Sequence, residues 1–411
     1  MQKISTMRMS RKNIFQGRLI IGLDLGDRSS AYCVLSEAGV IVLEHKLATT
    51  PEAMKQVFGS MPRCRIAMET GTHSPWVSRL LTALGHEVIV GHAQKVRLIT
   101  KSRRKDDRLD ARTLARLARI DPELLSPVKH RSAQAQLHLT EIRARAGLVS
   151  ARTALVNAAR GLVKSYGERL RKCGTQQFTR EITSGLSAGL REALQPLLRE
   201  VESLNEGIKE YDRRIAKMAK QTYPETALLK QVKGVGEVIA TAYVLTVEDP
   251  HRFRKSRDAG CFVGLQPGRR NSGDSEPQMH ISKEGNEYLR TLLVQGAHYI
   301  LGPFGEDSDL RRWGQKLAAR GGKNGKKRAV VAVARKLAVL LHRLWVSGEA
   351  AFAVFGAEAY GRVLAENSSV MVVGQPIQTV RTPIRMVSKS RQISPWDVWP
   401  NAMRMLNPLF K

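Results

Sequence analysis

The sequence predicts three parts: an α/β domain at the N-terminus, a long helical coiled-coil linker and a mainly α-helical C-terminal domain. Three observations lead to this prediction. Short apolar runs bounded by turn residues fill positions 19–91, a heptad spacing replaces them between about 133 and 225, and further helical segments follow from 230 to about 354. The 411 residues suffice for two or three domains of about 150 residues, and a hydrophobic content of 42% excludes wholesale disorder.

The N-terminal apolar runs have the length of strands and lie at 19–25, 31–36, 40–46, 64–69 and 86–91. Brief connections join the first three runs, which favours an antiparallel meander, and residues 75–84 predict a crossover helix between the last two. Three hairpinned strands followed by β-α-β is the ribonuclease-H-like order. A helix over about 106–119 would complete this domain.

A helical period occupies the region between the two domains. Its second half carries an apolar residue every three or four positions, at Leu197, Val201, Leu204, Ile208, Tyr211, Ile215 and Met218. Its first half carries a stripe of Leu137, Ala144, Leu148, Ala151, Leu155 and Leu162, with Arg143, Arg145, Arg152 and Arg160 off the stripe. Two long antiparallel helices are therefore predicted. They could close on each other or on a second protomer, so a homo-oligomer (dimer or tetramer) through this linker is one expectation.

Composition sets the remaining boundaries. Residues 1–18 form a basic N-terminal extension, 19–130 the α/β domain, 131–228 the helical linker, 229–354 the C-terminal domain and 355–411 a tail. The tail contains five of the sixteen prolines and little periodicity, so it is predicted to be loosely ordered.

The charge balance indicates a polyanionic partner. Sixty-seven Lys and Arg against thirty-seven Asp and Glu give a net charge of +30, which costs self-repulsion unless nucleic acid offsets it. On a helix near 326–345, Arg328, Arg335 and His342 recur every seven residues, beside Lys336 and Arg343. We expect Arg328, Arg335 and Lys336 to contact phosphates, although a solvated amphipathic face is the alternative.

Several classes of protein are excluded by the same composition. The four cysteines are far apart and contain no C-x-x-C pair, so the sequence predicts neither a zinc ribbon nor a disulfide framework and favours a reducing cytoplasm. The N-terminus lacks the apolar run of a signal peptide. Charged residues interrupt the longest apolar candidate, at 329–345, so no membrane span is expected.

Carboxylates stand at positions where an unpaired charge would be costly. Asp24 lies within the first apolar strand and Glu69 ends the fourth. If these strands are neighbours, the two carboxylates meet at one edge of the sheet. Asp107 and Asp110 lie three residues apart on a predicted helix and therefore share a face. Together the four carboxylates would suit one or two Mg²⁺ ions acting on phosphates.

A structural alternative exists for the same four residues. Asp107 and Asp110 could pair with nearby basic residues, and Asp24 could accept from a local amide. The candidate basic partners are Lys105, Arg108 and Arg112. The predicted strand order favours the metal site over this alternative.

An ordered series of short motifs runs through the chain from about 19 to 346. The motifs are Gly22-Leu23-Asp24, Met68-Glu69-Thr70-Gly71 with Trp76, Lys105-Asp106-Asp107-Arg108-Leu109-Asp110-Ala111, Gly234-Val235-Gly236, Gly264-Leu265-Gln266-Pro267 with Asn271-Ser272-Gly273, and His280-Ile281-Ser282-Lys283-Glu284-Gly285-Asn286. The series resembles the IS-one-ten family of insertion-sequence transposases, the bridge-RNA-guided recombinases. Lys233 departs from the proline that the family often has before Gly-Val-Gly.

The resemblance implies a fold and a set of roles. It implies a RuvC-like (ribonuclease-H-like) domain, a helical linker and a C-terminal transposase domain that supplies a serine nucleophile. The catalytic residues that it implies are Asp24, Glu69, Asp107 and Asp110 as Mg²⁺ ligands and Ser272 as the nucleophile. It also implies DNA of the element ends and of the target as partners, with a guide RNA encoded by the element.

Ser272 is assigned by the resemblance alone. Judged from the sequence, Ser272 before Gly273 is a turn serine, and Ser275 and Ser282 are equally plausible hydroxyls. No histidine is spaced as its general base, so metal-assisted attack is the simpler expectation. Arg269 and Arg270 are available to neutralise phosphate charge.

The predicted function is cleavage and rejoining of DNA at mobile-element ends. A site-specific DNA invertase of the same architecture would use the same chemistry. A non-catalytic nucleic-acid-binding protein is disfavoured by the four acids together with Ser272. A sugar kinase, suggested by Asp24-Leu25-Gly26, is disfavoured by the net charge of +30.

Overall fold

The computed structural model describes residues 18–99, 107–273, 275, 277, 279–322 and 324–348. It divides into two compact units, Met1–Ser132 and Ala133–Lys411. The expectations for the N-terminal extension before residue 18 and for the tail 355–411 lie outside the described residues, as do Lys105 and Asp106.

The first unit contains a mixed five-stranded sheet. Its strands are β1 (Ile20–Asp24), β2 (Ser29–Leu35), β3 (Ile41–Ala48), β4 (Arg65–Glu69) and β5 (Glu87–Gly91), in the order β3-β2-β1-β4-β5. The first three strands form the antiparallel meander, and β4 and β5 run parallel to β1. All five predicted strands are therefore present, and β1 and β4 are neighbours.

In the described part of this unit, four helices accompany the sheet: α1 (Pro51–Phe58), α2 (Ser74–Ala83), α3 (Ala93–Ile99) and α4 (Asp107–Ile120). A 3₁₀ helix, Pro122–Leu125, follows them. The predicted crossover and closing helices correspond to α2 and α4, whereas α1 and α3 were not predicted. Helix α1 begins with a Thr50 side chain that accepts from the Ala53 amide and a proline in its first turn, and it buries Met54 and Phe58.

Alternation along β1 separates two cores. Ile21 and Leu23 belong to the cluster that includes residues of α1 and α2, whereas Ile20 belongs to the cluster beneath α4. Gly22 lies directly under α4. A Cβ atom at Gly22 would stand 1.9 Å from the Ala111 carbonyl oxygen of that helix. The absence of a side chain at Gly22 therefore allows α4 to cross β1 in close contact.

The second unit is helical in its described part. Its helices are α5 (Ala133–Ser165), α6 (Ala188–Thr222), α7 (Thr226–Leu229), α8 (Glu237–Val247), α9 (Asp258–Phe262), α10 (Glu287–Leu301), α11 (Asp309–Ala319) and α12 (Gly325–Ser347). Short 3₁₀ helices occupy Arg180–Thr183 and Pro250–Arg252. In the described residues, no helix is both long and apolar enough to cross a membrane.

Helices α5 and α6 form an antiparallel hairpin, as the sequence predicts. On α6 the predicted apolar positions Val201, Ile208, Ile215 and Met218 are buried. On α5 the predicted stripe is wrong at both ends, because Leu137 and Leu162 are 62% and 53% exposed, whereas Leu155 packs against the buried cluster of the hairpin. The buried positions of α5 are instead Ala135, Leu139, Ile142, Arg145, Arg152, Val156, Ala159 and Val163.

Polar partners on α6 explain why two arginines enter this seam. Arg145 Nε donates to Asp212 Oδ1 at 2.5 Å, and Arg152 Nη1 donates to Asn205 Oδ1 at 2.7 Å. Both arginines are less than a tenth exposed. A buried guanidinium is tolerated only where such acceptors satisfy it.

The base of the hairpin and the C-terminal helices share one core. Leu139, Ile142 and Ile215 belong to the same buried cluster as residues of α8, α10 and α12. The fully buried Tyr243 of α8 donates from its hydroxyl to the Ala338 carbonyl of α12 at 2.8 Å. These contacts join the base of the hairpin, α8, α10 and α12 in one buried layer.

Candidate active site and nucleic-acid interface

Asp24 and Glu69 end neighbouring parallel strands. The register pairs Ile20 with Arg65 and Leu23 with Met68, so Asp24 and Glu69 are the next residues on β1 and β4. By alternation, both lie on the sheet face that α4 covers. The structure therefore brings the first two predicted carboxylates to one edge of the sheet.

The N-terminus of α4 reaches the same edge. Arg65 Nη1, at the start of β4, donates to the Ala118 carbonyl at 3.0 Å, and Ala111 lies over Gly22. Helix α4 thus runs antiparallel to β1, and its first turn, which contains Asp107 and Asp110, lies towards the strand ends. The four predicted carboxylates therefore belong to elements whose ends lie on the same side of the sheet, the ends of β1 and β4 and the first turn of α4.

Basic side chains already contact this edge. Lys46 of β3 donates from Nζ to Asp107 Oδ2 at 2.9 Å. Arg112 of α4 donates from Nη2 to Glu44 Oε2 of β3 at 2.6 Å. This hydrogen bonding holds the pKa of Glu44 below its usual range. Lys46 and Glu44 were not singled out from the sequence.

The donor set matches a hard divalent cation in its chemistry. The four side chains supply only carboxylate oxygens, and each is at least partly accessible to solvent. The ammonium of Lys46 pairs with one of these carboxylates, Asp107, and both side chains are about half-exposed. Within the described residues, no three Asp, Glu, His or Cys side chains stand close enough to hold a metal ion together.

Ser272 lies at the tip of a two-stranded ribbon between α9 and α10. Pro267 bridges to Ile281 near the base. At the tip, the Ser272 amide donates to the Ser275 carbonyl at 3.2 Å, and the Ser275 amide donates to the Ser272 carbonyl at 3.1 Å. Gly273 begins the turn between them with φ +54°, a conformation that favours glycine.

The ribbon separates the three candidate serines. Ser272 and Ser275 are exposed at the tip, whereas the Ser282 amide donates to the Gln266 carbonyl at the base. Arg269 and Arg270 are exposed on the strand that leads to Ser272. The tip therefore presents a serine hydroxyl next to two cations on the same arm.

Arg290, which the sequence analysis did not single out, fastens the base of the ribbon. It is 3% exposed and donates from Nη1 to the Val263 carbonyl at 2.9 Å and to the Glu284 carbonyl at 3.3 Å. Because these two residues flank the ribbon, one guanidinium ties its arms to α10. The signal in the sequence that could have identified Arg290 was its position as a basic residue inside the apolar stretch that forms α10.

The basic residues of α12 differ in their surroundings. Arg328 is exposed, whereas Arg335 is half-buried against Gly260 of α9. Lys336 is also half-buried, with Nζ 4.1 Å from the centre of the Trp313 ring. Burial lowers the pKa of Lys336 to about 8.

His342 does not share the basic face of α12. It is 2% exposed, its Nε2 lies 2.7 Å from the Pro250 carbonyl, and its ring packs against Phe253. The prediction from the seven-residue spacing is therefore wrong at this position. The 3₁₀ segment at Pro250–Arg252 covers this end of the helix, which the periodicity of α12 alone does not indicate.

Two family models match the chain. A transposase model of the DEDD type in the IS110 group matches residues 21–168, and the model described as Transposase IS116/IS110/IS902 family matches residues 226–305. The first range contains the four carboxylates, and the second contains Ser272 and its ribbon.

Similar proteins are named as bacterial transposases, among them transposases for two insertion sequence elements. A probable family 20 transposase of Pseudomonas aeruginosa is 31% identical over 337 residues, which is 79% of this chain and 96% of the relative. The transposase for insertion sequence element IS1111A of Coxiella burnetii is 29% identical over 82% of this chain and 94% of the relative. The transposase for IS1328 of Yersinia enterocolitica is 28% identical over 69% of this chain and 84% of the relative.

Proposed function

Because the chain belongs to the IS110 family of DNA transposases, we propose that it cleaves and rejoins DNA at mobile-element ends and at the target by metal-assisted attack of a serine. The observation that carries this proposal is the convergence of Asp24, Glu69 and the first turn of α4 at one edge of the sheet. A DNA-cleaving enzyme of this kind acts on phosphodiesters, which carry negative charge and need a cation beside them.

The four carboxylates would hold Mg²⁺ in this proposal. Asp24 and Glu69 are fixed by the register of β1 and β4, and Asp107 and Asp110 by the contact of α4 with β1. When bound, Mg²⁺ supplies positive charge that stabilises oxyanions in phosphodiester transfer. Lys46 would give up its contact with Asp107, leaving that carboxylate for the metal.

Ser272 is proposed as the nucleophile. Its Oγ forms a bond to phosphorus while the bond from phosphorus to one deoxyribose oxygen breaks. The serine proton passes to water, and the departing oxygen takes a proton from water. The resulting phosphoserine diester keeps the bond energy, so a deoxyribose hydroxyl can reverse the reaction without ATP.

Five basic residues are proposed to bind nucleic acid. Arg269 and Arg270 lie on the ribbon beside Ser272, where they would offset the phosphate charge. Arg328, Arg335 and Lys336 lie on α12 and would contact the phosphate backbone. The net charge of +30 supports a nucleic-acid partner for the chain as a whole.

Guide RNA and self-association complete the proposal. Guidance by an element-encoded RNA is proposed from the resemblance to the bridge-RNA-guided recombinases, and the charge excess suits a second polyanion. The α5–α6 hairpin is proposed as a coiled-coil linker through which protomers associate. Leu137 and Leu162 are 62% and 53% exposed on α5 and would be covered in such an assembly.

Isosteric replacement of the carboxylates tests the proposal. Asp24→Asn and Asp110→Asn should reduce Mg²⁺-dependent cleavage of element-end DNA by at least about a thousandfold, because each removes ligand charge. Binding of DNA should change little. Glu37→Gln, at an exposed carboxylate in the turn between β2 and β3, is the matched control and should cleave normally. Normal cleavage by folded Asp24→Asn would overturn the carboxylate assignment.

A further inference from the structure

A histidine with two oriented contacts lies in the loop that follows Glu69. His73 Nε2 stands 3.4 Å from Asp27 Oδ1, and the Trp76 indole donates from Nε1 to His73 Nδ1 at 3.1 Å. The two rings meet edge to face, at 90° with centroids 6.1 Å apart. Neither family motif nor charge pattern drew attention to His73.

The indole fixes which nitrogen of His73 carries the proton. An indole N–H can only donate, so Nδ1 must accept from Trp76. In the neutral imidazole, the proton then resides on Nε2. His73 therefore presents an N–H donor towards Asp27 in a defined orientation.

The partner of this donor is exchangeable. The Asp27 side chain is 94% exposed, whereas that of His73 is 27% exposed. An exposed carboxylate at this distance contributes little to stability. An incoming oxygen anion can therefore replace Asp27 without a large cost.

The donor lies in a loop that leaves the carboxylate edge. Asp27 follows the end of β1 at Asp24, and His73 follows the end of β4 at Glu69. Because β1 and β4 are parallel neighbours, both loops leave from the edge that holds the proposed metal ligands. The carboxylates repel a phosphate. A neutral hydrogen-bond donor in a fixed orientation at the same edge would attract the phosphate oxygens without adding negative charge.

We propose that His73 donates a hydrogen bond from Nε2 to an oxygen of the DNA phosphodiester bound at this edge. The inference rests on the proposed function of the four carboxylates. Asp27 is only the resting partner in the free protein and takes no part once DNA is bound. The proton stays on Nε2 throughout, so the role is that of a preorganised donor to charge that grows in the transition state.

Single-turnover cleavage with saturating DNA and Mg²⁺ tests this inference. His73→Ala should slow cleavage about a hundredfold or more, the loss typical of removing one such donor. DNA affinity should change by less than about threefold, since one uncharged donor adds little to backbone binding. His73→Gln should recover about tenfold of the loss, because its amide N–H can donate from a similar position.

Variants of the neighbours separate donation from a structural role. Trp76→Phe should give an intermediate loss, since Nδ1 is no longer held as an acceptor. Asp27→Ala should cleave at the wild-type rate. If the contact of His73 with Asp27 served only to hold the two loops together, Asp27→Ala would cleave as slowly as His73→Ala. That result would overturn the proposal.

The failure of this inference can be told from failure of the proposed function. If His73→Ala and His73→Gln both cleave at the wild-type rate while Asp24→Asn is inactive, the donor role is wrong and the carboxylate site stands. If Asp24→Asn also cleaves normally, the proposed function itself is contradicted. Thermal unfolding of each variant confirms that the rates compare folded proteins.

Discussion

At the scale of single residues, Gly22 decides whether α4 can bring its two aspartates to the sheet. A Cβ atom at this position would lie 1.9 Å from the Ala111 carbonyl oxygen and 2.5 Å from the Ala115 amide nitrogen, and neither backbone atom can move alone. We expect Gly22→Ala to lower the free energy of unfolding by about 3 kcal/mol, at the upper end of overpacking effects. Urea unfolding of the full chain measures this change.

Gly147 provides the matched control. It lies in helix α5, and a Cβ atom there would meet no other atom within 4 Å. Gly147→Ala should therefore raise the free energy of unfolding by about 0.5–1 kcal/mol, the gain from restricting the unfolded chain. Equal effects of the two substitutions would contradict the close approach of α4 to β1.

Single residues also show what the sequence could and could not predict. Asp24 and Glu69 were singled out because Asp24 lies within one apolar run and Glu69 ends another, where a carboxylate is unexpected. Lys46 was not identifiable, because its contact with Asp107 joins positions 61 residues apart. The fixed tautomer of His73 likewise depends on an indole whose orientation only the folded helix α2 defines.

At the scale of elements, the α5–α6 hairpin is held in register by polar contacts inside its seam. Asp212→Ala would leave the buried Arg145 guanidinium without its carboxylate, so we expect a loss of about 2 kcal/mol in the free energy of unfolding. Glu141→Ala breaks the pair of Glu141 with Arg214 on the same two helices and should cost much less, because the Arg214 side chain is 51% exposed and water can solvate it. Similar losses of unfolding free energy in urea would show that the buried pair of Arg145 with Asp212 stabilises the hairpin no more than the pair of Glu141 with Arg214.

The same hairpin shows the limit of periodicity. On α6 the heptad spacing identified the buried face, because its seam positions are apolar. On α5 the seam includes Arg145 and Arg152, whose partners lie 67 and 53 positions away. A pattern that assigns arginines to the surface therefore selects the wrong stripe.

Helix α12 carries the proposed phosphate contacts. Replacing Arg328, Arg335 and Lys336 together by Gln, Gln and Met should flatten the dependence of log affinity for duplex DNA on log salt by up to about 2.7, since each contact contributes about 0.9. The Met substitution preserves packing against Trp313. DNA affinity measured by fluorescence at several salt concentrations gives this slope. An unchanged slope would show that these three residues contact solvent and not phosphates.

At the scale of the whole molecule, the chain combines an acidic edge in one unit with a serine ribbon in the other. Family models cover both parts, at 21–168 and 226–305. The order of these parts was predictable from the alternation of strand and helix patterns. The shared core of the hairpin base and the C-terminal helices was not, because Ile142 and Ile215 pack with residues far along the chain.

The central claim is that this transposase breaks DNA through a phosphoserine intermediate at Ser272. Wild-type protein incubated with element-end DNA and Mg²⁺ should yield a denaturant-resistant adduct, and the DNA-linked peptide released by a protease should contain residue 272. Ser272→Ala should form no adduct, whereas Ser275→Ala, on the facing arm of the ribbon, should form it. Wild-type recombination by Ser272→Ala, or an adduct at another residue, would contradict the claim.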